Sequence, residues 1–286
     1  MELHDHALAS DLEMMRCQAA ERRQVLRWLL AGAATLPLVS CGGGSDASAT
    51  AASGGAAGTG GTGTTATPAT GACTVIPEET GGPYPADGTN TNGGSIVNVL
   101  NQSGVVRSDI RASFNGASGV AAGVPLSIKL QLINASGSCA TLAGYAVYLW
   151  HCDRDGLYSL YSSGVTGQNY LRGVQQTDAS GNLAFTTIFP GCYAGRMPHV
   201  HFEVYPSLEK AASAANRIKT SQFTFPMATL NEVYTASGYT ASVRNLAQIS
   251  YATDNVFSDG TSLQMASVTG NAADGYVVTL TVAVNG

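Results

Sequence analysis

The sequence predicts an all-β fold, an antiparallel β-sandwich with short helices or ordered loops. Three observations predict it. From Cys73 onward, short apolar runs are broken by Gly, Asn, Asp and Pro. Several of these runs alternate apolar and polar residues with a period of two, the signature of a half-buried strand. The segments between them carry turn chemistry and no fixed repeat.

The elements follow in order. Val124 to Ile133 places Leu126, Ile128, Leu130 and Leu132 on one face, and Pro125 is tolerable near a strand start. Tyr145 to His151 is a second strand. The tight turn Asp178-Ala-Ser-Gly181 leads into a third, Leu183 to Phe189. Val200 to Tyr205 is a fourth, and Gly275 to Val284 a fifth. Leu208 to Thr220 and the stretch around Met227–Tyr234 read as short helices or ordered loops.

Ahead of this domain (71–286) lie two other segments. Residues 1–40 read as an export signal. Arg22-Arg23 precede a mild apolar stretch, Trp28 to Val39, too short for a mature transmembrane helix. The Arg-Arg-Gln-Val-Leu-Arg run fits a twin-arginine signal. The stretch ends in Leu38-Val39-Ser40-Cys41, which resembles a bacterial lipoprotein processing site with Cys41 receiving the lipid. Residues 41–70 hold Gly, Ser, Ala and Thr, one charge at Asp46 and no large apolar side chain. Such a tract cannot offset its own chain entropy by burial, so a tether is expected. The expected location is exported and lipid-anchored, at an outer membrane facing the periplasm or the exterior. Gly42 and Gly43 lack the aspartate linked to inner-membrane retention. No other stretch is long and apolar enough to span a membrane, so contact is expected through the lipid anchor only.

Four of the 14 basic and five of the 19 acidic side chains fall in residues 1–40, leaving a net charge of −4. With no basic block, nucleic acid is excluded as a partner class. Cys73, Cys139, Cys152 and Cys192 remain after the signal and Cys41, an even number that suits an oxidising compartment. Four cysteines allow three full pairings, and the sequence does not choose among them. Cys73–Cys139 is favoured because it would pin the domain start to a later strand. Cys152 and Cys192 either pair or stay reduced. No C-x-x-C spacing supports a zinc site.

Chemistry concentrates in Tyr193-Ala-Gly-Arg196-Met-Pro-His199-Val-His201, with Tyr158 upstream. His199 and His201 stand two apart on a strand, so both imidazoles share one face. Val200, Phe202 and Val204 take the other. Only three histidines, His151 among them, lie outside the signal. His151 shares parity with Leu149 and Val147, which marks it as structural. A phenol with a pKa of about 10 ligates only when a strongly charged cation removes its proton. Two phenolates and one hydroxide balance the three charges of ferric iron, and two neutral imidazoles leave that balance unchanged. A buried site without net charge avoids a large desolvation cost. The donor set Tyr158, Tyr193, His199 and His201 therefore points to non-haem Fe(III).

At these residues the chain resembles the intradiol ring-cleavage dioxygenases, ferric enzymes that open catechols. The resemblance is carried by residues 77–85 (Pro-Glu-Glu-Thr-Gly-Gly-Pro-Tyr-Pro), 142–153, 171–181 and most strongly 187–202. It spans roughly 73–286. It implies that Tyr158 and Tyr193 are iron ligands with His199 and His201, and that Tyr193 leaves the metal when substrate binds. It implies that the freed Tyr193 accepts a proton and that Arg196 stabilises charge on the ring. The implied partners are a small aromatic diol and O2, and the implied product is a muconic acid. Tyr84 and Arg172 lie in matching motifs and are expected near substrate. Two departures stand out: a short stretch from Tyr193 to His199, and Cys192 where related chains carry an aromatic. Both place the question of substrate beside Tyr193.

A non-catalytic sandwich binding a ligand or partner at the cell surface suits the anchor and tether, but has no need of two tyrosines, two histidines and an arginine. A cupin-like site expects a glutamate four or five residues past the second histidine, where Tyr205 and Pro206 stand.

Overall fold

The structure, a computed structural model, describes residues 73–286. The predicted signal, Cys41 and the tether lie outside the described residues. The strands are β1 (Asp87–Asn92), β2 (Ser95–Asn98), β3 (Pro125–Asn134), β4 (Ala140–Thr141), β5 (Ala146–Trp150), β6 (Arg172–Gln176), β7 (Asn182–Ile188), β8 (His199–Tyr205), β9 (Lys219–Thr224), β10 (Ser267–Asn271) and β11 (Gly275–Val284). Two short helices, α1 (Met227–Val233) and α2 (Thr240–Leu246), follow β9. Between β8 and β9 the chain makes two 3-10 turns, Lys210–Ala212 and Ala214–Asn216.

Two sheets face each other. One has the order β6-β5-β8-β9 and is antiparallel throughout. The other runs β10-β11-β3-β4, with β7 also paired to β3. The all-β sandwich is borne out, but the second sheet is mixed. β11 runs parallel to β3 from Tyr276↔Leu126 to Val284↔Asn134. Parallel neighbours need a long crossover, and here almost the whole domain lies between the two strands.

The alternation in the sequence sets the core. Leu126, Ile128, Leu130 and Leu132 of β3, Leu183 and Phe185 of β7 and Val278 and Val282 of β11 pack against Val147, Leu149, Val200, Phe202 and Val204 of the first sheet. Each such side chain contributes about 1.5–3 kcal/mol through burial. Every residue of β5 and β8 is buried, so the first sheet is covered on its outer face too. There Ala146, Tyr148 and Trp150 meet Ala86, Val99, Leu100, Val105 and Tyr158 from the loops. The site lies between this outer face and its loop cover.

Cys73 and Cys139 form a disulfide that joins the first described residue to the turn after β3. Cys152 and Cys192 are free and buried. Among the described residues no helix is long and apolar enough to cross a membrane.

Candidate metal centre

Strand register builds the floor of the site. Trp150 pairs with both Arg172 and His201, and His201 pairs with Gln222, so these four residues form one row across the sheet. His199, two pairs along and so on the same face, stands opposite Thr224. Trp150 stacks on His201 with ring centroids 4.9 Å apart and planes 3° apart, which fixes that imidazole.

Two loops bring the phenols. Tyr158 follows a turn in which the Asp153 carboxylate accepts the Asp155 and Leu157 N–H groups at 3.0 and 2.9 Å. Its own N–H donates to Ser162 Oγ at 3.0 Å. Tyr193 follows a segment clamped by the helical region. Tyr239 donates to the Phe189 carbonyl, Tyr234 to that of Pro190, and Asn245 to that of Cys192. The Cys192 N–H donates to Ser242 Oγ at 2.9 Å.

The donors converge. His199 Nε2 lies 3.0 Å from His201 Nε2, 3.3 Å from the Tyr193 hydroxyl and 3.4 Å from the Tyr158 hydroxyl. His199 Nδ1 lies 2.6 Å from the Met197 carbonyl, which only accepts. Nδ1 therefore carries the proton, and Nε2 turns its lone pair toward the other three atoms. His201 Nδ1 meets no partner of good geometry. The nearby Thr80 backbone favours the protonated ring, an effect far outweighed by burial.

Burial, then the nearby Arg196 guanidinium, push both histidines well below the usual imidazole range, so both are neutral. Burial, then neighbouring Tyr193, push the Tyr158 phenol up. Two neutral imidazoles and a buried phenol held this reluctant to ionise suit a highly charged cation, which could take the Tyr158 proton. Atoms about 2 Å from a common ion stand roughly 3 Å apart, the spacing found around His199 Nε2. The residues present thus fit a hard trivalent ion. Among the described residues, no group of three or more His, Cys, Asp or Glu side chains forms a competing metal cluster.

Two glycines shape the surroundings. Gly82 has φ +67°, and a Cβ there would come 3.4 Å from His201 Cε1, so residues 81–82 lie against the imidazole. Gly156 has φ +83°, and its Cβ would meet Tyr193 Cβ at 3.0 Å. Both positions combine a left-handed backbone with a close approach, which favours glycine.

The other predicted residues are placed as follows. Arg196 is buried, with Nε donating to Asp254 at 3.0 Å and Nη2 to Gln222 at 2.6 Å. Burial alone would weaken its charge, but Tyr193 and Asp254 outweigh that and raise its pKa. Tyr84 is half-buried, its ring 4.9 Å from that of Tyr158. Arg172 is buried over the Tyr161 ring and donates to the Pro85 and Ser159 carbonyls, Ser159 Oγ and the Tyr148 hydroxyl. Its donors brace two loops rather than face a ligand. His151 sits between the sheets, with Nε2 2.7 Å from Thr187 Oγ1 and Nδ1 2.7 Å from the Cys152 carbonyl.

Sequence reasoning missed Trp150 as a stacking partner, Gln222, Asp254, Gly82 and Gly156. Gln222 was unreadable because β9 was not anticipated. Asp254 sits in a loop with no distinguishing pattern.

Residues 106–204, which carry Tyr158, Tyr193, Arg196, His199 and His201, match the family model described as Dioxygenase. Among solved structures the chain is similar to an intradiol ring-cleavage dioxygenase from Tetranychus urticae. That match has 23% identity and a TM-score of 0.56, and covers 74% of this chain and 95% of that one. It is also similar to the dioxygenase domain of a dioxygenase–carbohydrate-binding fusion from Streptomyces sp. SirexAA-E. There the identity is 22% and the TM-score 0.46, with 74% and 99% of the two chains covered. No curated protein matches the sequence. The first structure supports the shared fold, and the family model matches the segment that holds the site residues. The resemblance to a dioxygenase family read from the sequence is thereby borne out over residues 106–204.

Proposed function

We propose that this protein is a non-haem Fe(III) intradiol dioxygenase that uses O2 to open a catechol-type ring between its hydroxylated carbons, giving a muconate-type product. The observation that carries the reading is the convergence of Tyr158, Tyr193 and His201 on His199 Nε2. Bound ferric iron supplies the electron withdrawal that makes a catecholate carbon reactive toward O2. Tyr158, Tyr193, His199 and His201 hold it.

Burial distinguishes the two phenols. Tyr158 is 2% exposed, while Tyr193 is only half-buried and immediately precedes the short 194–198 loop. Tyr193 is therefore the phenol with room to turn away and accept a catechol proton at its oxygen. Tyr158, enclosed by Tyr84 and the loop cover, stays. Arg196 hydrogen-bonds to charge that develops on the ring, as a preorganised donor does. The loops over the outer sheet face exclude bulk water from the donors.

Residues 1–40 direct export, Cys41 carries a lipid, and residues 41–70 tether the enzyme to the membrane.

Product analysis tests the reaction. The protein is incubated with catechol under ¹⁸O2 and the product is read by mass spectrometry. Ring opening between the hydroxylated carbons with both labelled atoms retained is the expected result. An aldehyde from cleavage beside the diol, or no ring opening with any catechol, overturns the reading.

A further inference from the structure

Arg196 is held by a residue that lies outside every motif in the sequence. Asp254 is fully buried and follows α2 in the chain. Its Oδ2 accepts from Arg196 Nε at 3.0 Å and from the Met197 N–H at 2.6 Å. Its Oδ1 accepts from the Val256 and Phe257 N–H groups at 2.8 and 3.1 Å. One carboxylate thus ties the 194–198 loop to the segment that places Phe257 beside His199 and beneath the Arg196 guanidinium.

We propose that Asp254 is a positioning residue for ring cleavage, fixing the plane of the Arg196 guanidinium. This rests on the role given to Arg196 above. A guanidinium is planar and its donors are rigidly arranged, so two anchored nitrogens define where the third points. Asp254 anchors Nε, and Gln222 Oε1 anchors Nη2 at 2.6 Å. The Gln222 amide is itself oriented by donating from Nε2 to the Thr80 carbonyl at 2.7 Å. Nη1 donates to no acceptor among the described residues, which leaves it for a ligand. Asp254 also offsets the charge of a cation that is 2% exposed, and an unpaired buried guanidinium would be costly. Arg196 then acts as a directed donor and not as a loose charge. In Asp254→Asn one carboxylate oxygen becomes an amide nitrogen. With the Asn oxygen capping Val256 and Phe257, that nitrogen faces two donors, Arg196 Nε and the Met197 N–H, and displaces the guanidinium.

The test is a double-mutant cycle of Asp254→Asn and Arg196→Met in the iron-loaded protein, with kcat and KM for catechol and the visible spectrum recorded. Asp254→Asn is expected to lower kcat about tenfold or more, leaving KM within about threefold and the iron band in place. In the Arg196→Met background the same change is expected to alter kcat less than about twofold, because no guanidinium remains to be placed. An Asp254→Asn cost that is equal in both backgrounds, or absent, overturns the proposal. A second measurement needs no folded Asp254 variant. In ¹⁵N spectra of the metal-free protein, the Arg196 Nε–H is expected to exchange slowly with water at neutral pH, and fast exchange contradicts the clamp. A colourless wild-type protein that opens no catechol overturns the proposed function. An active wild type with an indifferent Asp254→Asn overturns this inference alone.

Discussion

At the residue scale, the site depends on which oxygen and nitrogen atoms share one small volume. The histidine pair was legible, since a spacing of two on a strand dictates a shared face. The phenols were legible through charge balance and family motifs. Asp254 and Gln222 were not, because a buried polar partner distant in sequence leaves no local pattern. Replacing Tyr158 by Phe, or His199 by Ala, is expected to abolish iron retention while the fold persists. Metal analysis alongside circular dichroism checks this, and a variant with full iron content contradicts the ligand assignment. Gly156 gives a second prediction. A side chain there combines φ +83° with a contact at 3.0 Å to Tyr193. Gly156→Ala should cost about 1–3 kcal/mol of stability and shift the visible band through Tyr193. Urea denaturation and the absorption spectrum report the two effects separately, and an unchanged spectrum contradicts the placement of Tyr193.

At the element scale, the strands that announced themselves bury one apolar face. β3, β5, β7, β8 and β11 were all legible within a residue or two. β6 and β9 were not, for a physical reason. Arg172, Thr220, Gln222 and Thr224 are buried because the outer face they share is polar and covered by loops. Polar residues facing a buried site erase the alternation on which strand reading rests. β1, β2 and β10 are short and lie mostly outside the buried core, so they carry little apolar signal. The sandwich core itself depends on large side chains at the contact of the two sheets. Phe185→Ala on β7 is expected to destabilise the domain by about 3–5 kcal/mol. Equilibrium unfolding measures this, and a loss below about 1 kcal/mol contradicts its place in the core.

At the scale of the whole molecule, one crosslink closes the domain start onto the end of β3, across a sequence separation of 66. Removing it with Cys73→Ser and Cys139→Ser is expected to cost about 2–5 kcal/mol. The iron band should be unchanged, since the ligands sit on the other sheet and its loops. Thermal melting with and without reductant checks the stability, and a reductant-insensitive melt contradicts the bridge. The mixed sheet was not legible, because parallel pairing of β3 with β11 joins opposite ends of the domain. The fold class and the site were legible for the same reason: alternation, turn chemistry and a compact motif are all local.

The central claim is that two phenols and two imidazoles hold ferric iron for catechol chemistry. The visible spectrum of the purified protein, titrated without oxygen with a panel of catechols, tests it most directly. The account predicts a phenolate-to-iron band that shifts as a catechol binds and Tyr193 withdraws. A colourless protein that holds stoichiometric zinc and ignores every catechol would contradict it.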